Sequence, residues 1–149
     1  MLNKITRKFN SFRHYPLPVK FLFIEALFTS LWVKVTLKSL PFKRVMGWLG
    51  SVNTESEFNA QPDTLTIRKH VKTALQLCNR YALWPTECYT LSLTGKLLLR
   101  RRSINSTIYI GFMKDDKGKY KGHAWLRAND TYISGFREAG GFQVTMLFS

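Results

Sequence analysis

"STIYIGFMKDDKGKYKGHAWLRANDTYISGF", residues 106–136, decides the architecture of this 149-residue chain. "STIYIGFMK" alternates and is rich in β-branched and aromatic side chains, the pattern of a strand. "DDKG" is a turn, and "KYKGHAWLRA" and "TYISGF" form a hairpin across Asn129 and Asp130. "FQVTMLFS" at 142–149 supplies one more strand. Upstream the period changes to that of helices. "WPTECYTLSLTGKLLLRRRS" (84–103) opens at Pro85, with Thr86 as N-cap and Glu87 and Cys88 in the first turn. It runs through Leu91, Leu97 and Leu98 to Arg100, Arg101 and Arg102, whose charge suits a helix C-terminus. In "TLTIRKHVKTALQLCNRYALW" (64–84) Ile67, Val71, Ala74, Leu75, Cys78 and Ala82 share one stripe, with His70 at its edge.

Before these lie a polar, period-free stretch, residues 51–63, read as a linker, and a basic helical region, residues 1–50, punctuated by Pro18 and Pro41. Helices followed by an antiparallel sheet make an α+β fold, with residues 64–149 as its core and one compact unit overall. The length suits a single domain.

The chain carries 23 Lys and Arg against 9 Asp and Glu, a net charge of +14. By segment the excess is +8 over residues 1–50, zero over 51–87 and +6 over 88–149. Such a field favours acidic partners, a peptide or an anionic membrane surface; no zinc-finger or single-strand-binding motif points to nucleic acid. The region 17–42 is apolar but broken by Lys20, Glu25, Lys34 and Lys38, which argues against a spanning helix. It reads as a helix packed in the core or on a partner, or as one lying on a membrane surface. Two cysteines and no signal-peptide pattern imply reduced thiols in a cytoplasmic protein. No motif for a metal ion or a cofactor is present.

Cys78 belongs to a core stripe, whereas Cys88 begins a helix. Unpaired N–H groups and the macrodipole favour a thiolate there, and the N–H of Cys88 with a first-turn neighbour could hold an oxyanion. A histidine on a following antiparallel strand is the usual proton acceptor for such a thiol, and His123 is placed to serve. Trp125, two residues on, shares its face and either shields the pair or fills the core.

The ordered set of Cys88, "LLLRRRSI", "IYIGF" and His123-Ala124-Trp125 resembles the lasso-peptide leader peptidases, the B proteins of that biosynthetic system, within the transglutaminase-like cysteine protease superfamily. "FLFIEALFTSLWVKVTLKSLPFKRVMGWLG" is similar to the helical half of the stand-alone form. The resemblance implies a papain- or transglutaminase-like core with the cysteine helix packed on the sheet. It also implies a cysteine endopeptidase that removes the leader from a ribosomally made precursor peptide. Its partners would be a separate leader-binding protein and an ATP-dependent macrolactam cyclase. The same residues would serve acyl transfer to an amine, and a degenerate, non-catalytic scaffold is the alternative.

The family completes a Cys-His-Asp triad; here the acid's position is Gly135. Asp130, seven residues from His123 at about 3.3 Å per residue, lies roughly 20 Å off at the hairpin tip. The expectation is therefore a Cys88-His123 dyad with a non-standard third member: Ser134, Glu138 or a backbone carbonyl.

Overall fold

The computed structural model describes residues 12–149, so the expectations placed on residues 1–11 fall outside the described residues. Among the described residues, four helices of five residues or more precede a four-stranded antiparallel sheet. Helix α1 spans Leu17–Ser39, α2 Phe42–Met46, α3 Pro62–Tyr81 and α4 Cys88–Arg100; the strands are β1 Thr107–Lys114, β2 Tyr120–Ala128, β3 Thr131–Ser134 and β4 Gln143–Phe148. The fold is α+β, with strand order β3-β2-β1-β4.

Prolines set the helix limits. Pro18 sits in the first turn of α1, where a missing N–H costs nothing, and Leu40 before Pro41 is extended and stops it. Pro62 likewise opens α3, two residues ahead of the Thr64 start read from the sequence. In place of a glycine, the turn after α4 is made by Ser103 at φ 55°.

One apolar layer lies between the helices and the sheet. Leu22, Ala26 and Val33 of α1, Val71, Ala74, Leu75 and Cys78 of α3, and Leu93, Leu98 and Leu99 of α4 meet Ile108, Ile110, Ala124, Leu126, Ala128, Ile133 and Phe148. The stripe read on α3 is turned slightly: Ile67 is exposed, while Arg68 and Leu77 are buried. Gly95 lets α4 settle onto the sheet, since a Cβ there would press against Leu126 and Leu75.

Because side chains alternate, β1 and β2 turn Thr107, Tyr109, Gly111, His123, Trp125 and Arg127 to the opposite face. That face is covered by residues 55–59 of the stretch read as a linker. Ser56 N–H donates to Thr107 Oγ1 at 2.8 Å. Arg127, with no exposure, donates to the Ser56, Glu57 and Asn129 carbonyls and to Tyr109, and pairs with Glu55 at 3.0 Å. Tyr109 in turn donates to Glu55. Residues 55–59 form a strap held to the sheet by side chains, while just before it Ser51 and Asn53 pair by main chain with the end of β4 around a Val52–Phe148 bridge.

Candidate active site

Cys88 is the first residue of α4, and its thiol is free and half-buried. The expected Thr86 cap does not form: its hydroxyl donates to Asn79 Oδ1 at 2.7 Å, and Glu87 becomes the N-cap residue without a side-chain cap. Lys34 of α1 explains the shift. Its ammonium takes the Pro85 carbonyl at 2.6 Å and the Glu87 carboxylate at 3.0 Å, fixing the chain where the helix starts. Chiefly through that hydrogen bond, the Glu87 carboxyl is held below its ordinary range. The first-turn N–H groups of α4 are thus free of a capping side chain.

Two contacts lay the start of α4 along β2. Ser92, one turn after Cys88, donates to the Ala124 carbonyl at 3.3 Å. The Tyr89 hydroxyl stands 2.7 Å from where a Cβ on Gly122 would lie, so only glycine allows this approach. Between Gly122 and Ala124 is His123, buried at 8% exposure. Burial, and secondarily the charge of adjacent Cys88, push the Tyr89 phenol up.

The imidazole is held from three sides. His123 Nε2 lies 2.7 Å from the Gly135 carbonyl oxygen. A carbonyl can only accept, so Nε2 is the donor, and in the neutral imidazole the lone pair is on Nδ1. Trp125 stacks on the ring at 5.9 Å, and Phe142 tilts against it at 5.1 Å. Trp125 also stacks on Tyr109 at 5.6 Å. Gly111, opposite His123, makes room: a Cβ there would come within 3.1 Å of the Trp125 ring.

Gly135, where the sequence reading expected an acid, meets His123 with its main chain. It is left-handed at φ 72°, and a Cβ would collide with the Ala124 carbonyl. Ser134 turns to α4, its hydroxyl 3.1 Å from that of Ser92. Glu138 is exposed in a 3₁₀ turn, Phe136–Glu138. Asp130, at the hairpin tip, pairs with Arg68 at 2.6 Å. Ser92 therefore links the cysteine helix to both β2 and the end of β3. Its polarity on an otherwise buried face was the available signal.

Among the described residues, no three His, Cys, Asp or Glu side chains are grouped to hold a metal ion. What the arrangement offers is a thiol at a helix start, an imidazole fixed in one tautomer on the neighbouring strand, and aromatic walls that limit water.

No curated protein and no solved structure matches the chain. Residues 36–147 match the family model described as the transglutaminase-like superfamily, an interval that takes in the end of α1, the strap, the cysteine helix and nearly all of the sheet. The chain belongs to the transglutaminase-like superfamily.

Proposed function

We propose that the protein is a cysteine endopeptidase that removes the leader from a ribosomally synthesised precursor peptide during lasso-peptide maturation. The observation that carries this reading is Cys88 at the uncapped start of α4, packed through Tyr89 at Gly122 and Ser92 at Ala124 on β2, the strand whose other face carries His123.

In this reading Nδ1 of His123 takes the Cys88 proton, and the thiolate attacks the scissile carbonyl. The tetrahedral oxyanion is met by first-turn N–H groups of α4. As the C–N bond breaks, His123 returns the proton to the leaving amine, and a thioester joins the substrate's acyl group to Cys88. Water, deprotonated by His123, then hydrolyses the thioester and restores the thiol. The Gly135 carbonyl keeps the imidazole in the required tautomer throughout. Support for lasso-peptide maturation in particular comes from the resemblance around "LLLRRRSI", "IYIGF" and "HAW". With it come a separate leader-binding protein, an ATP-dependent cyclase and a cytoplasmic setting as proposed context.

Cys88→Ala, supplied with precursor and leader-binding protein, should lose leader removal by at least about 10³-fold while keeping the wild-type melting temperature. Mass spectrometry of the precursor reads the outcome, and undiminished cleavage refutes the assignment.

A further inference from the structure

Helix α1 is apolar on two opposite faces. One, formed by Val19, Leu22, Ala26 and Val33, is buried against α3 and α4. On the other, Leu17, Phe21, Ile24, Phe28, Leu31, Trp32 and Val35 recur every three or four residues, within a stripe about 100° wide at 100° per residue. All seven are exposed, Phe21 at 70% and Phe28 at 72%. Past the end of α1 the stripe continues into Trp48, which stacks on Trp32 at 6.2 Å, and Phe42.

We infer that this face docks the protein on an anionic lipid bilayer, with α1 lying flat in the headgroup layer. Charge selects the partner. The exposed flanks carry Arg13, Lys38, Lys43 and Arg44, and half-buried Lys20 lies beside the stripe. The one acid between residues 12 and 50, Glu25, is already neutralised by Arg101 and Arg102 at 2.8 and 2.6 Å. Composition selects lipid over protein. A protein interface needs about one hydrogen bond per 100–200 Å², yet the stripe's side chains offer a single polar atom, the Trp32 indole nitrogen. Paired indoles beside basic residues suit the interfacial layer. Among the described residues no helix is long and apolar enough to cross a membrane, and the other face of α1 is committed to the core.

The surface reaches the candidate site. Phe42 packs edge-on against Tyr89 at 5.6 Å, next to Cys88, so a docked molecule would hold the start of α4 near the bilayer. The inference rests on α1 and holds whether or not Cys88 is a nucleophile.

The test is co-sedimentation of the full chain with vesicles of phosphatidylcholine alone or mixed equally with phosphatidylglycerol. Binding to the mixed vesicles should be at least about tenfold tighter and weaken in high salt. Phe21→Glu with Phe28→Glu should lose binding at least about tenfold without a change in melting temperature. Lys38→Glu with Lys43→Glu should lose only the preference for anionic lipid. Overturning results are no sedimentation with either vesicle, or binding untouched by the Phe21/Phe28 change. Equally decisive against it would be a dimer, or a complex with the leader-binding protein, that this change dissolves while vesicles never bind.

Discussion

Gly135 stands where the resemblance read from the sequence implied an acid. A glycine where an acid is expected reads in sequence as a gap. In the structure the gap is filled by the same residue's carbonyl, 2.7 Å from His123 Nε2. The backbone reaches that position only through a left-handed turn with no room for a Cβ. Gly135→Asp should therefore fail to create a triad. Strain in the left-handed region costs about 1–3 kcal/mol, and the collision with Ala124 adds to it. Gly135→Ala should destabilise similarly, and both should cut peptidase activity together with the melting temperature. A more active Gly135→Asp would contradict the main-chain role. That Cys88 opens a helix and His123 lies on a strand was legible because helix starts and strand alternation are local patterns. Gly135 was not, since its role depends on a dihedral angle and on which strand end approaches the imidazole.

Among the elements, α4 does more than present Cys88. Its buried face carries Thr90, Ser92, Thr94 and Lys96 among the leucines. Lys96 donates to the Ser106 carbonyl at 2.7 Å, tying α4 to the approach to β1. Burial, with the nearby charge of Arg100, lowers its pKa from 10.5 to about 8. The unfolded chain thus binds more protons than the folded one between about pH 8 and 10.5, and stability contributed by this residue rises with pH across that interval. Below it the buried charge is a standing cost. Cys78, whose thiol burial pushes up, works the other way above about pH 9. Comparison with Lys96→Met isolates the lysine: urea midpoints of the two proteins should converge as pH rises from 8 to 10.5. Parallel curves would rule the lysine out. The helical period of α4 was plain in the sequence, but a lysine in a leucine-rich stretch gave no hint that it points inward. The start at Thr86 was misplaced because capping statistics are local and Lys34 is not.

At the scale of the molecule, the α+β order, the four strands and the principal helices followed from period changes and proline positions. What stayed hidden depends on contacts distant in sequence: the second apolar face of α1, buried Arg68 and Arg127, and the strap. Residues 51–63 read as a polar linker because nothing periodic holds them, yet residues 55–59 bind the sheet at Thr107, Tyr109 and Arg127. Removing the donor of buried carbonyls costs about 1–3 kcal/mol for a group left unpaired, and Glu55, the charged partner of Arg127, is half-exposed. Arg127→Leu should lower stability by about that amount and open the strap to limited proteolysis between residues 51 and 61. Intact protection in that variant would mean that Thr107, Tyr109 and the pairing of Ser51 and Asn53 with the end of β4 suffice. The strap's bonds to Thr107 and Arg127 join residues 51 to 72 positions apart, and their partners exist only once the β1–β2 hairpin has formed. It therefore closes late in folding. Contacts made after the transition state leave the folding rate almost untouched and slow unfolding, so the strap governs how long the native state lasts rather than how quickly it is reached.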